Sequence, residues 1–270
     1  ISLTNYRFLH INAWQVGAYI QQIDTIVKEN KLNDNKYKLL FIYPKFLRAN
    51  NFIHKFYYNE IRNSENFFLY IFLYPFMHMK ICSINNWKHE TINPNSSFNL
   101  IHNNYSKKYQ PQICAKVNLD TKLITRKFLL NKKCDIRKKI ICIQQRDEDF
   151  YSGANTRGSN FEILQLIIER LILKNFLVIR FKSENSKKFN LNQSENYIEY
   201  NVSDEISKKI QFSLISESEL TICYQGGIHS MNQIVQSPFL QINSIPININ
   251  GLIKSKDKII FKKFFCNKEK

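Results

Sequence analysis

Closely spaced cysteines are missing from this sequence. Its six cysteines never form a C-x-x-C pair, so the pattern predicts neither a zinc ribbon nor a disulfide-dense secreted scaffold. Cys142 and Cys223 lie inside apolar runs, where a free cysteine acts as a small core residue. We therefore expect a reducing compartment, the cytoplasm, and a protein with no metal site and no cofactor.

Long apolar runs are missing as well. The most apolar stretch, residues 67–79, is shorter than the roughly 20 residues that a spanning helix needs, and it contains Pro75 and His78. It predicts a buried strand at residues 67–72 followed by buried helix, and not a membrane span.

Glycine is scarce, and the few glycines form no known nucleotide-binding motif. All six together give neither a G-x-G-x-x-G nor a Walker pattern. One adjacent pair, Gly226-Gly227, joins the apolar run 220–224 to a helical pattern. Such a pair either makes a tight turn or presents bare amides at a helix N-terminus to a phosphate, with His229 and Ser230 as further donors.

Acidic residues are outnumbered by basic ones, which gives a net charge of +17. Such a charge is typical of proteins that bind nucleic acid or membrane surfaces. The basic residues are spread along the whole chain, however, and no nucleic-acid-binding motif occurs, so we expect no nucleic-acid partner. Peripheral contact with an anionic membrane at its inner face stays open.

The sequence does contain a repeated pattern of strands and helices. Residues 140–143 form a β-branched run, residues 161–171 carry apolar side chains at helical spacing, and residues 176–179 form a second apolar run. Residues 7–43 show the same order. Strands that alternate with helices predict parallel sheets.

The expected fold class is therefore α/β with two Rossmann-like domains. Hydrophobic periodicity stops and basic charge accumulates at residues 132–139, which places the boundary at about residue 132. The expected domains are residues 1–132 and 133–270.

Charged residues follow both apolar runs of the second half. Arg146 and Asp147 come after the first run, and Arg180 comes after the second. Because ligands bind beyond the carboxyl ends of parallel strands, these residues and Gly227 predict a phosphate or diphosphate site. Each arginine taken alone is better explained as a solvated loop charge, and Gly17 in the first half as a simple turn.

Four short motifs lie between about residues 140 and 245. They read Arg146-Asp147 with Tyr151, Arg157 with Ser159, Val178-Ile179-Arg180, and Gly227 with Pro238. In these motifs the chain resembles bacterial two-domain GT-B-type glycosyltransferases found among surface-polysaccharide genes. Ala18, Gly158 and Lys182 depart from the family pattern, so we expect a divergent member. The first residue is not methionine, so the sequence is expected to be a fragment.

The resemblance implies metal-independent transfer of a sugar from a nucleotide-diphosphate donor to a polysaccharide, lipid-linked or glycan acceptor. The C-terminal domain would bind the donor and the N-terminal domain the acceptor, across a cleft. The implied residues are Asp147 and Arg146 for catalysis, Arg157, Arg180, Gly226, Gly227, His229 and Ser230 for the donor, and Gln15 and Gly17 for an acceptor or phosphate loop. Asp24 and His10 are rival bases, and Asp147 could equally orient Arg146.

Two other functions are open at this point. A polysaccharide pyruvyltransferase would use a similar scaffold with an arginine-aspartate motif and phosphoenolpyruvate. A non-catalytic basic module would bind an anionic polymer with steep salt dependence.

Overall fold

The computed structural model describes residues 5–9, 11, 13, 16–32, 37–57, 59–77, 83–84, 115–144, 161–182, 189, 191, 195–224, 227–244 and 258–261. The chain divides into two compact units. The first comprises Ile1–Lys116 with Gln233–Val235, and the second comprises Val117–Asn232 with Gln236–Lys270.

The first unit contains a parallel sheet of four strands. Its order is β3-β2-β1-β4. The elements are β1 (Tyr6–Leu9), α1 (Val16–Leu32), β2 (Lys38–Ile42), two short 3-10 helices (Lys45–Leu47 and Ile53–Tyr57), β3 (Ile61–Ser64), α2 (Phe67–Met77) and β4 (Ser83–Ile84).

Two predictions for the first unit are wrong. The pattern of residues 51–61 predicts one helix, but the structure has a short 3-10 helix there, which is followed by β3. Residues 67–72 are not a buried strand, because they belong to α2 and most of their large side chains are exposed. A uniformly apolar run has no periodicity that separates strand from helix. The helix start is instead fixed by Asn66, whose Oδ1 accepts a hydrogen bond from the Leu69 amide at 3.0 Å.

The second unit contains a parallel sheet of six strands. Its order is β10-β9-β8-β5-β6-β7, which is the strand order of a Rossmann fold. The elements are α3 (Leu119–Asn131), β5 (Ile140–Gln144), α4 (Phe161–Leu173), β6 (Leu177–Lys182), β7 (Tyr197–Asn201), α5 (Glu205–Glu217), β8 (Leu220–Cys223), α6 (Gly227–Val235), β9 (Phe239–Ser244) and β10 (Lys258–Phe261).

Apolar strands and one face of α4 form the core of this unit. Leu164 and Ile168 of α4 pack on Ile143, Val178 and Ile222 of the sheet. The strands are buried along nearly their whole length, as expected of a parallel sheet covered on both faces. Cys142 and Cys223 form no disulfide and are fully buried, which confirms their prediction as core residues. The predicted α/β class with Rossmann-like sheets is confirmed.

The observed division lies between Lys116 and Val117, whereas the sequence predicted a boundary at about residue 132. The helix α3 lies between these positions and packs against α5 of the second unit. Phe128 of α3 also makes an edge contact with Tyr200, at 4.8 Å between ring centres. The assignment of donor and acceptor roles to the two domains stays a prediction.

The N-cap of α5 also differs from the prediction. Ser203, a serine just before the helical pattern, predicts the N-cap, but Asp204 occupies that position and accepts a hydrogen bond from the Ser207 amide at 2.6 Å. The Ser207 hydroxyl in turn accepts one from the Asp204 amide at 2.9 Å. This reciprocal capping box satisfies two amides, whereas a single serine would satisfy one.

Candidate functional site

The strand order of the second sheet reverses between β5 and β8. Ile143 of β5 lies beside Ile222 of β8, so the two strands end side by side. The chain enters the arginine-aspartate motif after β5 and the glycine pair after β8. Two segments predicted to bind an anion therefore leave adjacent strands at the edge where α/β proteins bind ligands.

The helix that follows β8 begins at Gly227. Gly227 is half-buried, and the side chains of His229 and Ser230 are turned into the protein. The His229 ring makes an edge contact with Phe239, at 5.2 Å between ring centres. The backbone amides of the first turn are thus the groups of this segment best suited to an anion.

Arg180 lies within β6, and not beyond its end as the sequence predicted. It pairs in register with Ile143 of β5 and Glu199 of β7, and its side chain is fully buried. Its Nη1 donates a hydrogen bond to Glu199 Oε1. The guanidinium also stacks over the Phe189 ring, 4.0 Å from the ring centre.

Glu199 is the centre of this buried polar cluster. Lys182 Nζ donates to Glu199 Oε2 at 3.1 Å, and the Tyr197 hydroxyl donates to Oε1 at 3.1 Å. Burial raises the pKa of Glu199, but the hydrogen bond from Lys182 and the charge of Arg180 outweigh it, so the net pKa is lowered. Glu199 is therefore a buried carboxylate that neutralises Arg180.

A second polar cluster lies at the carboxyl edge of the first sheet. Arg48, in the loop after β2, donates through Nε to the Tyr43 carbonyl at 2.9 Å and through Nη1 to Glu65 Oε1 at 3.2 Å. Its Nη1 is also 3.3 Å from His54 Nδ1, which is 3.2 Å from the Tyr19 hydroxyl. Glu65 directly follows β3, so β2 and β3 deliver their polar groups to the same edge.

The protonation of this second cluster follows from its burial and charge. Burial first, and then the charge of Arg48, lowers the pKa of His54 to about 3, so its ring is neutral. Burial raises the pKa of Glu65, but the charges of Arg48 and Lys45 bring it below its ordinary value. The Glu65 side chain is 32% exposed while that of Arg48 is fully buried. The cluster thus presents one ionised carboxylate to solvent.

A cavity of about 470 Å³ lies at the opposite, amino edge of the second sheet. Three of its lining cations have carboxylate partners: Arg137 Nε is 2.9 Å from Asp135, Lys138 Nζ is 3.8 Å from Glu195, and Lys139 Nζ is 3.4 Å from Glu219. Because ligands of α/β sheets bind at the carboxyl edge, we assign no function to this cavity.

Comparison with known proteins identifies the fold. No protein-family model and no curated protein matches the chain. Among solved structures, a glycosyl transferase family 9 protein from Veillonella parvula matches with a TM-score of 0.57 and 7% identity, over 95% of this chain and 85% of that one. The E. coli ADP-heptose LPS heptosyltransferase II matches with a TM-score of 0.57 and 11% identity, over 94% and 90%.

The fold is that of a GT-B glycosyltransferase. The iron-containing dodecameric glycosyltransferase TibC from enterotoxigenic E. coli also matches, with a TM-score of 0.54 and 11% identity. The alignment covers 97% of this chain but only 63% of that longer protein. At these identities the likeness shows the fold alone.

Several of the predicted site residues lie outside the residues that the structure describes. These residues are Gln15, Arg146, Asp147, Arg157 and Gly226, together with the rival base His10. Gly17 is described and forms the second residue of α1, so it lies within the helix and not in the turn before it. The rival base Asp24 is buried on α1 and accepts a hydrogen bond from the Tyr57 hydroxyl at 3.0 Å.

The sequence reasoning missed the Arg48 and Glu65 cluster. Its signal is an acidic residue directly after a strand, but the helix predicted over residues 51–61 hides the start of β3. Among the residues that the structure describes, no three His, Cys, Asp or Glu side chains lie close enough to hold a metal ion. No helix in the described ranges is both long and apolar enough to cross a bilayer.

Proposed function

We propose that this chain is a glycosyltransferase that moves a sugar from a nucleotide-diphosphate donor to a glycan or lipid-linked acceptor. One observation carries the proposal: in a GT-B fold, the arginine-aspartate motif and the glycine turn follow the two strands at the switch point of the second sheet. Two of the similar solved structures contain ADP-linked heptoses, which makes an ADP-sugar the first donor to test.

The chemistry requires positive potential at the leaving diphosphate. As the bond between the anomeric carbon and the diphosphate oxygen breaks, negative charge grows on that oxygen. The first-turn amides of α6 are proposed to receive this charge, with Arg146 and Arg157 as the cations. Gly227 has no Cβ to keep a phosphate from these amides.

Three other predicted donor residues receive a supporting role in this proposal. Arg180 is neutralised by Glu199 and fully buried, so it holds β6 against β7. His229 and Ser230 are buried in the first turn of α6. Their side chains position the amides, and the amides contact the diphosphate.

The acceptor hydroxyl needs a base in an inverting reaction. Asp147 is the first candidate, because it belongs to the motif that follows β5. Glu65 is a second candidate, because it is an ionised and partly exposed carboxylate at the ligand edge of the first sheet. Asp24 is a poor one, since it is buried and already accepts a hydrogen bond from Tyr57.

Metal independence is part of the proposal and has its own test. Asp147, Glu148 and Asp149 have the D-x-D spacing with which two carboxylates can hold Mg²⁺ against a diphosphate. Transfer that persists in EDTA supports the amide and arginine mechanism, and transfer restored only by Mg²⁺ or Mn²⁺ contradicts it. The proposed location is the cytoplasm, with peripheral contact at the inner face of the membrane.

A thermal-shift screen tests the donor site. The full chain is heated with UDP-, GDP-, ADP-, CMP- and dTDP-linked sugars and with phosphoenolpyruvate. A donor at 100 times its dissociation constant stabilises the protein by about 2.7 kcal/mol, which gives a clear rise in Tm. Arg146→Ala and Gly227→Asp should abolish the rise.

Arg137→Ala is the matched control. Arg137 is exposed and lies before β5, at the amino edge of the same sheet, so this variant should keep the full response. A response to phosphoenolpyruvate alone would replace the proposal by a pyruvyltransferase. Absence of any response, with salt-sensitive binding to a polyanion, would replace it by a basic binding module.

A further inference from the structure

The helix α2 exposes an unusual amount of apolar surface. It has no charged residue, and seven of its large apolar side chains are exposed. Phe68 is 81% exposed and Phe72 is 72% exposed. Phe46 is 71% exposed and extends the surface, because its ring lies 5.5 Å from that of Phe67. We call these exposed side chains of α2, with Phe46, the aromatic surface.

The aromatic surface is convex and wraps around most of the helix. Tyr70, Leu73 and Met77, at i, i+3 and i+7, form the narrow stripe that packs on the first unit. At 100° per residue the exposed positions cover an arc of about 220°. A protein groove takes one stripe of a helix, whereas a bilayer interior can surround the whole arc. A helix that is apolar all round belongs in such a medium.

The length of α2 excludes a span and suits an interfacial position. Its 11 residues measure about 16 Å, about half of the hydrocarbon thickness of a bilayer. Phenylalanine would enter the acyl region, while the hydroxyls of Tyr70 and Tyr74 suit the headgroup level.

The charge around α2 favours an anionic bilayer. Lys45 adjoins Phe46 and its side chain is 63% exposed, although its Nζ lies 3.4 Å from Glu65 Oε2, which offsets part of its charge. Residues 45–90 contain six basic and three acidic residues, and the chain carries a net charge of +17. Basic residues next to an apolar surface add electrostatic attraction to anionic headgroups.

We propose that the aromatic surface is a docking site for an anionic lipid bilayer. The inference deepens the peripheral location proposed above by naming the surface, and it does not depend on sugar transfer. An acceptor carried by a lipid would then be presented to the enzyme at the membrane.

Vesicle co-sedimentation of the full chain tests this site. We expect binding to phosphatidylcholine vesicles that contain phosphatidylglycerol, and at least tenfold weaker binding to phosphatidylcholine alone. The double variant Phe68→Ser/Phe72→Ser should lose at least tenfold in affinity for the anionic vesicles. The matched control, Leu166→Ser/Leu173→Ser, removes two exposed leucines of α4 in the second unit and should bind like the wild type.

Three results would overturn the proposal. They are no vesicle binding, equal binding by the two double variants, or a lipid-free dimer in sedimentation velocity that disappears only in the Phe68→Ser/Phe72→Ser variant. The last result would assign the surface to a second copy of the chain. The donor response of this variant is measured in parallel, so that failure of docking and failure of the proposed enzyme activity are told apart.

Discussion

Arg180→Met tests whether this arginine stabilises the second unit or contacts a ligand. The Arg180 side chain is fully buried and that of Glu199 is 10% exposed. Removal of one partner of a buried ion pair costs about 3–5 kcal/mol, because it leaves the other charge uncompensated. Lys182 remains 3.1 Å from Glu199, so the carboxylate keeps one cation and we expect a loss nearer about 2–3 kcal/mol.

Hydrogen–deuterium exchange of peptides from β6 and β7 is the suitable assay. Both tryptophans, Trp14 and Trp87, lie in the first unit, so their fluorescence would not follow unfolding of the second. A loss of 2–3 kcal/mol raises the opening equilibrium, and hence exchange of core amides, by about 30- to 150-fold.

Two control variants sharpen the Arg180 experiment. Lys182→Met removes a 21% exposed cation from the same carboxylate and should cost at most about 1 kcal/mol. Arg180→Met/Glu199→Gln removes both buried charges and should recover part of the loss. If Arg180→Met leaves exchange unchanged but abolishes the response to every nucleotide sugar, the structural role of Arg180 is refuted.

The pH dependence gives a further check on the same pair. The folded pKa of Glu199 lies below its ordinary value of 4.5. The stabilisation by its ionised form is therefore complete above that pH and is lost as pH falls through the folded pKa. The difference between wild type and Arg180→Met should shrink in that acidic window.

Three other substitutions have expected outcomes. Leu164→Ala leaves a cavity at a buried position of α4 and should lower the free energy of unfolding, measured in urea, by about 2–5 kcal/mol. Leu173 is 85% exposed on the same helix, so Leu173→Ala should change it by no more than about 0.5 kcal/mol. Equal losses would contradict the observed packing. Asn118→Ala removes the cap hydrogen bond to the Thr121 amide at 2.9 Å and should cost about 1 kcal/mol, while Asn118→Asp should keep it. His54 has a pKa of about 3 in the folded protein and 6.5 ordinarily, so the unfolded state takes up this proton first as the pH is lowered. The free energy of unfolding should therefore decrease as the pH falls from 6.5 to 3, by up to about 1.4 kcal/mol per pH unit. His54→Gln should flatten this slope, and an unchanged slope would show that other groups cause it.

Part of the candidate site could be predicted because strand ends are visible in the sequence. The apolar runs before Arg146 and Gly227 predict strands, and parallel pairing brings their carboxyl ends to one edge. The position of Arg180 could not be predicted in the same way. A charged residue after an apolar run predicts the end of a strand. Glu199 of the neighbouring strand neutralises Arg180, however, so β6 continues past this arginine.

For helix α2, the sequence could not predict the secondary structure or the exposed face. Its 11 residues are too few to span a bilayer, but composition alone could not distinguish a strand from a helix or an exposed face from a buried one. Only the packing of Tyr70, Leu73 and Met77 fixes which stripe is covered.

The sequence by itself determined the alternation of apolar strands and helices, the core positions of Cys142 and Cys223, and the α/β class, because these depend on local periodicity and composition. The tertiary structure decided the strand order, the pairing of Arg180 with Glu199, the cluster of Arg48 and Glu65, and the exposed arc of α2. Each of these depends on residues that are distant in the chain, and their distances are fixed only when the sheets assemble.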